Sequence, residues 1–125
     1  MFTILSDKTI CLTRGDVASI VVSASLQDGV LYTFKPGDML RFRVFKKREC
    51  SSVVLQKDVK VEAETENVVV NLTKSDTTIG EIINRPIDYW YEVEVNPETE
   101  PQTIVGYDEA GEKIFRLYPE GSEVN

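Results

Sequence analysis

The sequence predicts an all-β protein, folded as an antiparallel β-sandwich of seven to eight short strands. Three observations lead to this prediction. Apolar and polar residues alternate with a period of two along most of the chain, and no stretch has the spacing of a helical stripe. Turn-forming pairs, such as Pro36-Gly37 and Asn96-Pro97, separate the alternating runs. Because each run has one apolar face, two sheets packed on those faces are the simplest way to bury them.

Eight runs are predicted to be strands. They are TICLT (9–13), DVASIVVSAS (16–25), DMLRFRVFK (38–46), VVLQKDVKV (53–61), NVVVNLT (67–73), PIDYWYEVEV (86–95), QTIVGY (102–107) and KIFRLY (113–118).

Two connections have recognisable local chemistry. The last two runs flank DEAGE and are expected to form a closing hairpin, with Gly111 at a positive φ. Residues 73–81 are expected to hold one helical turn, capped by Ser75 or Asp76. Further turns are expected at Asp28-Gly29 and Glu120-Gly121.

The size and composition fit one folded domain over residues 1–125, since 42% of the residues are apolar and 28% are charged. No apolar run approaches the ~20 residues that cross a bilayer. The N-terminal MFTILSDK lacks a secretory apolar region, so we expect no export by a signal peptide. Cys11 and Cys50 are therefore predicted to be reduced. The chain has no histidine, which removes the commonest general base and transition-metal ligand.

Charge is unevenly distributed along the chain, whose net charge is −7. Residues 1–60 hold ten Lys and Arg against six Asp and Glu, a balance of +4; residues 61–125 hold four against fifteen, a balance of −11. An acidic chain argues against nucleic acid and anionic membranes as partners. The asymmetry suggests the hypothesis that copies associate head to tail into a ring.

Arg14-Gly15-Asp16 spells a known cell-adhesion tripeptide. Gly15 falls between two predicted strands, where a glycine would allow the chain to bend or change sheets. We therefore interpret the tripeptide as a bend with two charges pointing to solvent. An adhesion signal would need a secreted protein and a projecting loop.

Several motifs follow one another in a fixed order over residues 9–121. They are Thr13-Arg14-Gly15-Asp16, the Asp28-Gly29 turn, LRFRVF, the corner made by Leu72, Thr73, Asp76 and Thr77, YWYEVEV, and TIVGYDEAGEKIFRLYPEG. This order resembles the immunoglobulin-like domain of phage baseplate upper proteins and prophage tail proteins. The resemblance implies an immunoglobulin-like β-sandwich in a virion component or in the bacterial host cytoplasm. It implies no catalytic residues.

The chain is not expected to be an enzyme or to bind a cofactor or a metal. Pairs such as Glu92 and Glu94, or the series Glu62, Glu64 and Glu66, have the spacing of one row on a strand. Such a row is usually the solvated face of a sheet, so we interpret these carboxylates as surface groups rather than acid–base pairs. No calcium-loop or phosphate-loop pattern appears.

One group of residues is the candidate interaction site. Alternation places Trp90, Glu92 and Glu94 on the outer face of their strand, beside Arg41 and Arg43 on the neighbouring one. Two interpretations stay open. The group forms a ladder within one chain, with Trp90 stacked on a guanidinium, or Trp90 anchors a subunit contact.

The function predicted from these observations is a non-enzymatic structural or assembly protein of a phage or prophage tail-baseplate. Its partners would be other tail and baseplate proteins, or further copies of itself in a homo-oligomer. The alternative is a carbohydrate- or surface-binding module with Trp90, Tyr89 or Tyr91 as a sugar platform. Alternation disfavours that platform because it points both tyrosines inward.

Overall fold

The computed structural model describes residues 2–4, 8–24, 30–46, 52–81, 83–99, 101–105 and 113–120. This part of the chain contains nine strands and one short helix. They are β1 (Phe2–Ile4), β2 (Ile10–Thr13), β3 (Ala18–Val22), β4 (Met39–Phe45), β5 (Val53–Lys60), β6 (Val68–Leu72), α1 (Lys74–Thr77), β7 (Ile87–Val95), β8 (Gln102–Val105) and β9 (Lys113–Tyr118). The all-β prediction is confirmed. Strand β1 was missed because three residues are too few to show alternation.

The strands form two sheets of unequal width. The larger sheet has the order β1-β2-β9-β7-β4-β5, with β8 also paired to β7; the smaller sheet consists of β3 and β6. The strand pairs of the described residues are antiparallel except β2 and β9, which run parallel. The prediction of purely antiparallel sheets is wrong at this one pair. Strands β2 and β9 lie far apart along the chain, so no tight turn forces them into opposite directions.

The core lies between the two sheets and follows the predicted alternation. On β4, Leu40, Phe42 and Val44 are buried, while Arg41 and Arg43 are only partly covered. The Phe42 ring lies 5.6 Å from the ring of Tyr91 and 6.3 Å from that of Phe115, measured between centroids. Other fully buried members of this core are Ile10, Leu12, Phe34, Val70 and Leu117. Phe34 belongs to none of the predicted strands, but it bridges Thr65 and closes the core from a connecting segment.

The predicted closing hairpin is wrong. Both β8 and β9 pair antiparallel with β7, so they run in the same direction and cannot form a hairpin with each other. They follow one another along one edge of β7, while β4 occupies the other edge. The nine residues of β7 provide an edge long enough for both. Gly111 lies outside the described residues.

The bend at Gly15 carries the chain from the larger sheet to the smaller one, as predicted. Gly15 has φ +87°, which L-residues with a side chain rarely adopt. Its N–H donates to the Thr77 carbonyl at 3.4 Å, and the Asp16 N–H donates to the Thr13 carbonyl at 3.0 Å. The Thr77 hydroxyl donates to the Asp16 carbonyl at 2.7 Å. The bend is thus attached to the end of α1.

Arg14 does not point to solvent, and this part of the prediction is wrong. Its side chain is 6% exposed, its Nε donates to the Ile79 carbonyl at 3.1 Å, and its Nη2 donates to the Gly80 carbonyl at 2.7 Å. The five donors of a guanidinium suit the backbone carbonyls exposed after a short helix. A buried Arg14 cannot be presented to a receptor, so the tripeptide does not serve as an adhesion signal.

The helical turn at residues 74–77 is confirmed, but its cap is Thr73 rather than Ser75 or Asp76. The Thr73 hydroxyl accepts from the Asp76 N–H at 3.3 Å, and the Asp76 carboxylate accepts from the Thr73 N–H at 2.8 Å. This reciprocal arrangement is a capping box. Burial alone raises the pKa of Asp76, but the Thr73 N–H, the Lys57 ammonium 3.0 Å away and the Thr73 hydroxyl outweigh it, and the pKa lies below its ordinary 3.8.

Some of the remaining local predictions are confirmed, and others concern residues outside the described part of the chain. The turns at Pro36-Gly37 and Asn96-Pro97 are present, with Gly37 at φ +97° and Asn96 at φ +52°. Cys11 is a buried free thiol, as predicted. Cys50, Asp28-Gly29 and Gly121 lie outside the described residues. In the described part of the chain, no helix is long and apolar enough to span a membrane.

Replacing Gly15 with alanine is expected to destabilise the protein more than replacing Gly37. Both glycines have positive φ, so each alanine variant loses about 1–2 kcal/mol through backbone strain. A Cβ at Gly15 also meets the carboxylate of Glu120, whereas a Cβ at Gly37 meets nothing within 4 Å. Chemical denaturation of both variants measures the difference. Equal losses would contradict the close approach of Glu120.

The free energy of unfolding is expected to fall as the pH drops through and below about 4. The pKa of Asp76 is lower in the folded state, so its contribution is present above the ordinary value of 3.8 and is lost as the carboxylate protonates. Asp76→Asn should cost about 1 kcal/mol at pH 7 and should reduce this slope. Denaturant titrations from pH 7 to pH 3 measure both effects. An unchanged slope in the variant would contradict the capping role.

Candidate interaction surfaces

The outer side of the larger sheet is called the charged face, and it contains all five residues predicted as an interaction site. Strand pairing places Arg41 opposite Glu94, Arg43 opposite Glu92, and Phe45 opposite Trp90. The alternation of β4 and β7 therefore brings the group together as expected. Asp58, Asp88 and Arg116 extend the same face on the neighbouring strands and on β7 itself.

Ion pairs connect the charged side chains of this face within one chain. Arg43 Nη2 lies 3.0 Å from Glu92 Oε1 and 2.5 Å from Glu94 Oε1. Arg41 forms two hydrogen bonds with Asp58, at 2.9 and 3.2 Å, and a third with Glu98 at 3.2 Å. Each such exposed pair contributes only ~0.2–1 kcal/mol. The carboxylates of Glu92 and Glu94 on β7 both bind Arg43 on β4, so these three side chains form a salt-bridged ladder between the two strands.

Trp90 belongs to an apolar row that crosses the charged face. Its neighbours in register are Phe45 on one side and Ile114 on the other, and Phe45 is paired in turn with Val53. The guanidinium of Arg43 lies 5.4 Å from the centroid of Phe45, so it stacks on that ring and not on Trp90. The ladder within one chain is thus present, with Phe45 in the place expected for Trp90.

The indole of Trp90 is partly covered by its surroundings. Its Nε1 is buried and, like the Nε of Arg43, has no hydrogen-bond acceptor among the described residues. Phe45 is only 2% exposed. A sugar platform needs aromatic faces open to solvent, and this row offers little such surface.

The charge asymmetry between the two halves of the sequence is partly neutralised inside the fold. Arg43 of the first half binds Glu92 and Glu94 of the second half, and Lys57 binds Asp76 at 3.0 Å. The attraction on which a head-to-tail ring would depend therefore acts, at these positions, between residues of the same copy.

The outer side of the smaller sheet is a different surface, here called the neutral face. It consists of Val17, Ser19, Val21 and Ser23 on or beside β3, and Val69 and Asn71 on β6. Residues 17–24 and 67–73 contain no ionisable side chain, in a chain that is 28% charged. Val17, Val21 and Val69 are 71%, 59% and 43% exposed. This face therefore combines exposed apolar surface with an absence of charge.

The two polar residues at the centre of the neutral face are bonded to each other. The Ser19 hydroxyl donates to the Asn71 side-chain oxygen at 2.8 Å, across the pair that their strands form. Covering a polar group costs less free energy when the group already has a partner. This hydrogen bond thus lowers the desolvation cost of covering these two side chains by another molecule.

Several grooves border these surfaces in the described part of the chain, and two of them lie near the candidate residues. One, of about 440 Å³, lies between β5 and α1 and is lined by Lys46, Leu55, Asp76 and Tyr89 among others. Its carboxylate, that of Asp76, is held by the capping box and by Lys57. The second, of about 360 Å³, runs along β3 toward β7, and its walls combine apolar side chains such as Ile20 and Val93 with Lys8 and Ser23. Within the described residues, no three His, Cys, Asp or Glu side chains converge to hold a metal ion.

The sequence-based predictions attach no role to the valines of the neutral face. Charged, aromatic and nucleophilic groups are the usual signals of a site in a sequence, and Val21 is none of these. The available signal was the absence of ionisable residues from two segments that become neighbours only in the fold.

Comparison of the chain with protein-family models, with curated proteins and with solved structures gave no match. The resemblance to the immunoglobulin-like domain of phage baseplate proteins therefore stays a prediction from the order of motifs.

Saccharides are expected to leave the fluorescence of Trp90 unchanged. It is the only tryptophan in the chain, so its emission reports on the charged face alone. Titration with mono- and oligosaccharides measures the effect, and quenching by acrylamide is the positive control because the indole is half-buried. A saturable change in emission would instead favour a carbohydrate-binding module.

Proposed function

We propose that this chain is a non-enzymatic structural protein of a phage or prophage tail-baseplate, which docks through its neutral face to other virion proteins or to further copies of itself. The observation that carries the docking role is the pair of adjacent, uncharged strands with three exposed valines. The tail setting is supported by the order of motifs over residues 9–121 and is compatible with the β-sandwich.

Docking through the neutral face has a physical basis in the hydrophobic effect. Covering apolar surface gains roughly 25 cal/mol per Å². Val17 and Val21 project from the same side of β3, and Val69 adds to them from β6. The Ser19–Asn71 hydrogen bond lowers the cost of covering the Ser19 hydroxyl and the Asn71 side-chain oxygen.

The non-enzymatic role is supported by the state of the side chains that would otherwise be catalytic candidates. Glu92 and Glu94 bind Arg43, Asp76 caps α1, and the thiol of Cys11 is buried. Each of these groups has a structural environment that accounts for it. No specific observation favours the carbohydrate-binding alternative, since Phe45 is buried and Trp90 is partly covered.

The chain is expected to be a component of purified tail particles, and a charge on the neutral face should remove it. Particles are induced from the bacterial strain that carries the gene, purified on a density gradient and probed with an antibody against the chain. Val21→Lys places an ammonium among the exposed valines, so the particles should lose most of this chain.

Thr103→Lys is the matched control for this experiment. Thr103 is an exposed, β-branched residue on β8, and it lies on the charged face. This variant adds the same charge and should be incorporated as the unmodified chain is. If the unmodified chain stays out of the particles, the tail role is wrong. If both variants are incorporated normally, docking through the neutral face is wrong.

A further inference from the structure

We infer that the partner of the neutral face is the neutral face of a second copy of this chain, packed across a two-fold axis that reverses the strand direction. This inference rests on the proposed function, because it names the molecule that occupies the same docking surface. It predicts a symmetric dimer rather than a head-to-tail ring.

The charge of the chain favours the neutral face as the place where two copies meet. Each copy carries a net charge of −7, so copies repel each other when their acidic surfaces approach. Residues 17–24 and 67–73 contain no ionisable side chain, so two packed neutral faces bring no like charges of these segments together. A strongly basic partner would instead be attracted to the acidic surface elsewhere on the chain.

The two ends of β6 carry opposite charges, and Asp16, which precedes Val17, lies at the same end of the sheet as Lys74. Glu66 precedes β6 and Lys74 follows it, and both side chains are exposed. Neither forms an ion pair with another described residue. A two-fold axis across β6 places Lys74 of one copy beside Glu66 of the other, and it does so twice. The two Glu66–Lys74 pairs can therefore form in the antiparallel arrangement and in no parallel one.

The size of the face sets the expected strength of the dimer. Two strands of five residues cover roughly 16 Å by 10 Å, whereas a stable interface buries about 800 Å² on each partner. The neutral face alone therefore supports a weak dimer, with a dissociation constant expected around 0.1–1 mM. In an assembly that holds several copies close together, the raised effective concentration would populate the same contact.

Sedimentation velocity on the full chain tests the dimer. The sedimentation coefficient of the unmodified chain should rise between ~10 µM and ~1 mM protein. Val21→Lys should raise the dissociation constant at least ~10-fold, because an ammonium would be covered without a partner. Thr103→Lys should leave it unchanged. Circular dichroism confirms that both variants are folded. A chain that stays monomeric up to ~1 mM, or two variants that dimerise alike, would overturn the inference.

Charge reversal tests the antiparallel arrangement. Glu66→Lys and Lys74→Glu should each weaken the dimer about 2- to 30-fold at low salt, because each variant converts two attractive pairs into two repulsive ones. The double variant should restore the affinity. These effects should vanish near 1 M salt, where the Debye length is about 3 Å, while the effect of Val21→Lys should persist. If both single variants dimerise as the unmodified chain does, the arrangement is wrong.

Failure of this inference is distinguishable from failure of the proposed function. A monomeric chain whose incorporation into particles is abolished by Val21→Lys would retain the tail role and lose the dimer. A dimer with the predicted response to Val21→Lys, formed by a chain that is absent from tail particles, would retain the dimer and lose the tail role.

Discussion

The attachment of the Gly15 bend to the end of α1 is the constraint on which the two-sheet arrangement depends. The chain leaves the larger sheet after β2 and starts the smaller one within four residues. A positive φ at Gly15 makes this change of direction possible, and Arg14 fixes it by binding the carbonyls of Ile79 and Gly80. The backbone N–H of Arg14 also donates to the Tyr118 carbonyl at 2.9 Å. The bend thus joins β9 of the larger sheet to the segment that follows β6 of the smaller sheet. It adds to the pairing with β6 and to the burial of Ala18, Ile20 and Val22, which also hold β3 over the core.

Much of the fold could be predicted because its core is built from residues of one polarity at every second position. The strands with a buried side and a solvated side, such as β4 and β7, were found with their faces correctly assigned. Several of the errors occur where a contact between distant parts of the chain determines the structure. Arg14 reads as a surface charge until the carbonyls after α1 surround it. The order of β8 and β9 depends on the length of β7, which makes one long edge available. Thr73 was passed over as the cap because the residues after it also favour caps.

The residues of the candidate site could be predicted from the sequence, whereas the contacts among their side chains could be predicted only in part. Register alone brought Arg41, Arg43 and the two glutamates together, because period-two alternation fixes which residues share a face. Which side chain stacks on which ring depends on rotamers, and there Phe45 took the place expected for Trp90. The two outer faces of the sandwich differ in their chemistry. Charges on one face are paired within the chain, while the other face has valines and no charge at all.

The succession of β8 and β9 along β7 has a consequence for protein engineering. From Val105 to Lys113 the sequence advances by eight positions, whereas their partners Val93 and Tyr91 differ by two. The pairing of the sheet therefore resumes in register after six surplus residues. A change in the number of residues in this interval is expected to leave both flanking strands in place, because the entropy of closing a connection grows only slowly with its length. An epitope or a reporter domain could therefore be inserted there while the sandwich keeps its strand order.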